Sequence, residues 1–477
     1  SARSASRSGR TAAAPSPAPS PAPSSAPSPR TEPATTALPV AVAAAAALPP
    51  LPAPAAGRAA ANRAAGASVL AALPGQPPQR RSRTLADELA EIQAERGPGS
   101  RIEGGGALRS RDGEGGFGRL DTFQAPAEGR IAIDELGQVV VRATPVFLSA
   151  GEVGAETGTR RRHGTLALDP TGVTTPGDQS DAGIALAVGL ETRSISADIG
   201  TVPVGFAVGG AVGGVRWEDA IGSGGLRLMI EGSRRALNDS LLAFAGSTDA
   251  RTGRVWGGVR ATGLRSQLSW EQDDVGLYGY GGAQALTGRG VASNNRLEAG
   301  GGGYWRARST PDDRLELGLN LGYQHYRRNL SGYTLGHGGY FSPQHLLALT
   351  VPVNWTGRSG RLSWGVQGAA GLQTYREESA PYFPTEAGLQ SWLESLVAAG
   401  QTPTARYAAR SDSGMTLNLG GALEYQITRQ LDVGARIGFE HAPQYSQGMG
   451  SVYLRFSLEP RGTATGGLRM PAGPALQ

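Results

Sequence analysis

Not one of the 477 residues is a cysteine or a lysine, so all 45 strongly basic side chains are arginine. Without cysteine there is no disulfide, no thiolate metal ligand and no cysteine nucleophile. Apolar residues make up 39% of the chain. Nowhere do they run together for the roughly 20 positions that a membrane helix needs. The five histidines (His163, His325, His337, His345 and His441) are scattered. They show neither metal-ligand spacing nor an order that suggests a Ser-His-carboxylate site. No enzyme activity, metal site or cofactor is expected. Gly113-Glu114-Gly115-Gly116-Phe117-Gly118 spells a dinucleotide fingerprint, but no helix follows to turn its N-terminus toward a phosphate.

Charge and proline are unevenly spread. Residues 1–100 hold 17 of the 32 prolines, and ten arginines against five acids; the rest of the chain carries 35 of each sign. The basic excess therefore belongs to one end, and nucleic acid is not an expected partner. Residues 1–83, rich in Ala, Pro, Ser and Arg, cannot bury a core and read as a disordered periplasmic linker. A short helix is predicted over 84–97, where Thr84 can cap and Leu85, Leu89 and Ile92 share a face. The text opens at Ser1 without Met or a leader, which suggests the C-terminal part of a longer precursor.

What the rest of the chain does have is alternation. Leu315, Leu317, Leu319, Leu321 and Tyr323 oppose Arg314, Glu316, Asn320 and Gln324. Leu417, Leu419, Leu423, Tyr425 and Ile427 oppose Thr416, Asn418, Glu424 and Gln426, and Val452, Leu454, Phe456 and Leu458 oppose Tyr453, Arg455 and Ser457. Successive side chains of a strand point to opposite faces, so each segment has one oily side and one wet side. About sixteen such segments fill residues 101–461, with a tail at 462–477. The predicted class is all-β, a transmembrane antiparallel barrel. Joins mostly alternate between short turns (Gly222-Ser223-Gly224, Gln272-Asp273-Asp274) and long loops (150–180, 236–256, 328–345, 375–410). Outer-membrane barrels have short periplasmic turns and long external loops, so both ends are expected in the periplasm. Trp270, Tyr323, Trp355, Trp364, Tyr425 and Phe439 fall mostly near strand ends on the oily face, as interfacial girdles do.

A barrel of this size can hold water behind its polar face. Lumen candidates for substrate contact are Tyr304, Glu316, Asn320, Gln324, Glu424, Asp432, Arg436, Tyr453 and Arg455. The loop Leu330-Ser331-Gly332-Tyr333-Thr334-Leu335-Gly336-His337-Gly338-Gly339-Tyr340-Phe341-Ser342-Pro343-Gln344 either adds Tyr333, Tyr340 and Phe341 as sugar-stacking rings at the pore mouth or packs on itself. Within 385–399, Leu389, Trp392, Leu393 and Leu396 recur at helical spacing and form either a lid over the exit or a packed loop helix. Arg160-Arg161-Arg162-His163 reads as a solvated loop or as a contact for anionic lipid head groups.

The 330–344 loop resembles a signature of the C-terminal domain of the bacterial cellulose synthase operon protein C family. Collinear matches are Arg142-Ala143-Thr144-Pro145-Val146, Asp239-Ser240-Leu241-Leu242-Ala243-Phe244-Ala245-Gly246, Val255-Trp256-Gly257-Gly258-Val259-Arg260, and the stretch from Tyr280-Gly281-Gly282 to Leu286-Thr287-Gly288. The resemblance implies a sixteen-stranded outer-membrane channel that passes a β-1,4-glucan (cellulose) chain outward by passive conduction. It implies outer-membrane lipid and lipopolysaccharide as surroundings. It also implies the inner-membrane cellulose synthase complex as a partner, reached through N-terminal tetratricopeptide repeats that residues 1–100 do not contain. Rival readings are a general porin, a barrel enzyme acting on lipid through His337 and His345, an autotransporter translocator and a soluble adhesin.

Overall fold

The computed structural model describes residues 99–133, 137–169 and 172–459. The linker expected over 1–83, the helix over 84–97 and the tail over 462–477 lie outside the described residues. Alternation carries straight into strands: β1 (Arg101–Arg111), β2 (Leu120–Gln124 and Ala127–Ile133), β3 (Gly137–Glu152), β4 (Asp178–Glu191), β5 (Ile195–Thr201), β6 (Ala211–Ile221), β7 (Leu226–Ala236) and β8 (Val255–Gln272). The second half continues with β9 (Val275–Arg289), β10 (Asn294–Ser309), β11 (Asp313–Tyr326), β12 (His345–Ser359), β13 (Leu362–Glu377), β14 (Arg410–Gln426), β15 (Leu431–Ala442) and β16 (Tyr445–Ser457). Each strand pairs antiparallel with the next. β1 then pairs with β16 from Arg101↔Ser457 to Arg111↔Gln447, which closes the sheet. Closure leaves no edge strand, so every backbone ladder is satisfied inside the wall.

One strand starts late and is interrupted. The turn through Gly113 and Gly116, both with positive φ, delays β2 to Leu120. Pro126, which has no N–H, then interrupts the ladder. The gap is stitched, with Ala125 N donating to Pro145 O and Gly105 N donating to Pro126 O, each within 3.1 Å. β2 then resumes to Ile133. Several strands also run further into the loop side than their alternating text, as at β9, β14 and β16. There the sheet continues where no apolar belt enforces the pattern.

The two faces separate cleanly. On β11, Leu319 is 55% exposed and Leu317, Leu321 and Tyr323 face outward with it, while Glu316, Asn320 and Gln324 are buried inward. The same outward apolar band recurs around the barrel, including Leu268, Leu349, Val366, Leu423, Ile437 and Leu454. That inverts a water-soluble protein, and only a lipid surround satisfies it. Outward aromatics form two levels. Trp270, Trp355, Trp364 and Tyr425 sit toward the short turns, and Tyr323 and Phe439 toward the long loops. Trp355 and Trp364 meet edge to face at 4.6 Å.

The long loops carry three helices, α1 (Thr157–Arg160), α2 (Leu241–Phe244) and α3 (Ala387–Ala398). The helical text at 385–399 is α3. Leu393 is fully buried and Leu389 and Leu396 pack beside it, whereas Trp392 points away and lies near the Arg251 guanidinium. This helix packs its apolar face within the loops.

Candidate functional site

Inside the barrel, near the short-turn end, arginines and carboxylates interlock around the wall. Arg455 Nε donates to Glu103 Oε1 at 2.8 Å and its Nη1 to Glu424 Oε2 at 2.6 Å, bridging β16 to β1 and β14. Asp432 is buried opposite Arg455 in the β15–β16 register. Arg306 on β10 lies 2.6 Å from Glu271 and 3.7 Å from Glu316. Arg130 on β2 pairs with Glu191 at 2.7 Å and with Glu128, which also holds Arg142. Further along, Arg265 and Glu298 stand 3.6 Å apart, and Arg235 pairs with Asp198. Both signs are matched locally, so the bore has polar walls with little net field.

A second device recurs three times. Tyr304 stands opposite Gly276, and its hydroxyl reaches across to donate to Glu271 Oε2 at 2.7 Å on the strand beyond. Tyr453 crosses Gly434 to donate to Glu424 Oε2 at 2.7 Å. Tyr278 crosses Gly302 to donate to Asn320 Oδ1 at 3.1 Å. Each ring lies flat because its neighbour lacks a side chain. A Cβ at Gly434 would stand 2.1 Å from Tyr453 Cζ, and one at Gly276 2.2 Å from Tyr304 Cζ. Rings that would otherwise project into the bore become part of its wall.

The expected lumen residues therefore fall into sets. Glu424, Asp432, Tyr453 and Arg455 gather on β14–β16, and Tyr304 and Glu316 share the Arg306 cluster. Asn320 meets Tyr278; Gln324 and half-buried Arg436 line the bore apart from these. Arg306, Glu103 and Tyr278 were absent from that expectation although their strand parity is inward. What singles them out is register, which alternation alone does not supply.

The long-loop end is different. The β7–β8 loop, residues 237–254, leaves the wall halfway around the barrel from β1 and crosses to it. Arg109 Nη2 donates to Asn238 O at 2.9 Å, and Arg111 lies 3.9 Å from Asp239. Ser240 caps α2 by accepting from Ala243 N at 3.1 Å. Leu241, Phe244 and Ala245 then pack on the inward side chains Leu120, Val146, Leu148 and Ala150 of β2 and β3. The loop returns through Gly257, with φ +104°, where a Cβ would meet Leu242 O at 2.3 Å; only glycine fits. Residues 237–254 form a crossbar over the bore.

The other loops lock the crossbar in place. Ser240 Oγ donates to Gly339 O at 2.7 Å, and buried Asp249 accepts from both Thr165 N and Thr165 Oγ1 at 2.8 Å. Leu242 joins Trp256, Leu335, Phe383 and Leu393 in one cluster. The three rings of the 330–344 loop pack among the loops themselves. Tyr340 is 1% exposed, accepts from Asn294 Nδ2 at 3.1 Å and packs on Tyr326. Phe341 is half-buried against Tyr375 at 5.0 Å, and Tyr333 meets Phe117 edge to face at 5.1 Å. These rings hold the loops together because closing a loop over water favours burying its aromatics. Nor is the Arg160–His163 loop freely solvated throughout. Arg162 pairs with Glu114, and His163 is buried 5.4 Å from the Trp256 ring. Burial pushes the His163 and His337 imidazoles from the usual 6.5 down to about 4. His337 bonds Pro381 O at 2.8 Å within the loops, whereas His345 bonds Tyr323 at 2.9 Å on the outward wall.

A family model, the cellulose synthase operon protein C C-terminus, matches residues 118–459. The chain belongs to this family. Its relatives include the cellulose synthase operon protein C of Pseudomonas fluorescens (strain SBW25), 36% identical over 371 residues, covering 77% of this chain and 27% of that protein. That of Xanthomonas axonopodis pv. citri (strain 306) is 38% identical over 299 residues, covering 60% and 20%, and that of Escherichia coli (strain K12) is 35% identical over 288, covering 58% and 24%. The chain thus spans between 20% and 30% of the length of the curated relatives it matches. Among solved structures, a bacterial polysaccharide outer membrane secretin aligns with a TM-score of 0.44 at 12% identity, covering 76% of this chain and 98% of that one. The matched region includes both the crossbar 237–254 and the start of β8, Val255 to Arg260, where the chain rejoins the wall.

Proposed function

We propose that this chain is the outer-membrane channel through which a cellulose chain leaves the periplasm, moving by passive conduction along a hydrated bore. The long loops face outward and the start of β1 and end of β16 face the periplasm, in keeping with the lengths of the joins. One observation carries the reading: a polar bore of locally neutralised charge, crossed at its long-loop end by a segment that the other loops hold in place. A neutral polymer needs hydrogen-bonding walls without a strong field, and weak repeated contacts let it keep moving. Flat-lying Tyr278, Tyr304 and Tyr453 support this, because they keep bulk out of the path. The crossbar 237–254 serves as the gate, and its release opens the exit. Relatives named for a cellulose synthase operon support an association with the synthesis machinery, which would push the polymer from the inner membrane.

The test is transport through the full chain reconstituted in liposomes. Cello-oligosaccharides should pass slowly in the intact protein and at least several-fold faster once residues 239–246 are replaced by a short Gly/Ser bridge. Equal passage of branched or α-linked glucans of similar mass would favour a general porin and sink the cellulose reading.

A further inference from the structure

Arginines facing the bore have acidic partners in cluster after cluster. On the outward wall, four basic side chains gather without one. Where β11, β12 and β13 rise out of the apolar belt on the long-loop side, His325, Arg327, His345 and Arg376 follow the outward parity of Leu321, Leu347 and Leu372. They are neighbours. His345 stands directly opposite Arg376 in register, and the His325 and His345 rings lie 5.5 Å apart. Tyr323 bonds His345 Nδ1 at 2.9 Å, and Arg327 N donates to Asn295 O at 3.0 Å, which fixes the chain just past β11. Arg327, His345 and Arg376 are exposed. Among the described residues no carboxylate pairs with either guanidinium, and the nearby acid Glu378 is bridged to neither.

A cationic patch on a lipid-facing wall, with no acid supplied by the protein, needs its anion from the surroundings. Its height is that of a headgroup: above the belt of Leu319 and Leu349, level with Tyr323 of the aromatic girdle. We infer that this patch binds the phosphate of a phosphorylated glycolipid in the outer leaflet. The two guanidinium forks match phosphate geometry, and Tyr323 packs at the boundary of sugar and acyl chain. The inference rests on the proposed outward orientation of the long loops. Three consecutive cations at Arg160–Arg162 make a poorer site, because Arg162 is already neutralised by Glu114 and Arg161 Nη2 donates to Gln401 O.

Binding of bisphosphorylated lipid A to the detergent-purified full chain, followed by native mass spectrometry, tests this directly. The intact chain should hold bisphosphorylated lipid A about tenfold more tightly than its dephosphorylated form. Arg327→Ala with Arg376→Ala should remove that preference, Arg327→Lys with Arg376→Lys should keep most of it, and Arg160→Ala with Arg161→Ala should leave it unchanged. Heat-modifiable gel mobility verifies that each barrel is folded. If the alanine pair does not fold, the two lipids on the intact chain together with the lysine pair decide the matter. Equal binding of both lipids, unchanged affinity in a folded alanine pair, displacement by millimolar inorganic phosphate, or occupation of the patch by a second copy of the chain would each overturn the proposal. Cello-oligosaccharide passage measured on the same preparations keeps the two readings separate. Lost lipid preference with intact passage removes only the patch, and lost passage leaves the lipid measurement readable.

Discussion

A tyrosine, a glycine and an acceptor on three successive strands make the smallest unit that explains the bore. The glycine is there for what it lacks, since its missing Cβ is the seat of the ring. Gly434→Ala should lift the Tyr453 ring, break its bond to Glu424 and destabilise the barrel by about 1–3 kcal/mol. Gly276→Ala should do the same through Tyr304. Gly129→Ala is the matched control, because nothing lies within 4 Å of the added methyl. The temperature at which the folded band disappears on a semi-native gel measures all three. Arg455 poses a related question of charge. Arg455→Ala leaves Glu103, 3% exposed, with Arg101 as its remaining cation, and leaves Glu424 with only the Tyr453 hydroxyl. The expected loss is roughly 3 kcal/mol, with partial recovery when Glu424→Gln is added, since a buried charge without its partner is the costly part. No recovery on the same gel assay would mean that water in the bore already screens that carboxylate.

Loops and strands differ in how far their text can be read. Period-two alternation announces strands such as β11, β15 and β16 because lipid on one side and water on the other enforce it residue by residue. The helix α3 is equally legible from Leu389, Leu393 and Leu396, although Trp392, which shares that spacing, turns out to face away. The crossbar is not legible. Asn238 meets Arg109 across 129 positions, and the seat of α2 is built from Leu120 and Val146 on strands whose own pattern only says "inward". Pro126 could be read as an interruption, but not the resumption of β2 beyond it. At this scale the loops are also where acidity should act. His163 and His337 are held neutral, with pKa values near 4 against 6.5 in the unfolded chain. Between those values the unfolded chain binds more protons than the folded cap, so stability rises with pH across that window. The cap is fully stable above about pH 6.5 and weakens as pH falls toward 4. Trp256, buried beside His163, reports it. Its emission should shift to the red between pH 6.5 and 4 with faster amide exchange across 237–254, and His163→Phe should reduce the shift.

For the molecule as a whole, everything depends on which face meets lipid. A closed antiparallel sheet of this size with an apolar interior would be a soluble protein, and the same sheet with the apolar side outward is a membrane channel. Neighbouring residues in the middle of β8 separate the two. Leu268 is 46% exposed and faces outward between Leu264 and Trp270, while Gln267 faces the bore opposite Tyr280. An arginine at Leu268 enters the apolar belt two residues from Trp270 and should cost about 1–2 kcal/mol, with slower folding into lipid vesicles. An arginine at Gln267 enters water beside Glu298 and Glu231 and should fold at the rate of the parent. Its effect should appear instead as slower passage of cello-oligosaccharides, because the added side chain narrows the bore without touching the wall. The reverse outcome, tolerance at Leu268 and failure at Gln267, would put the dry core inside and remove the channel along with it.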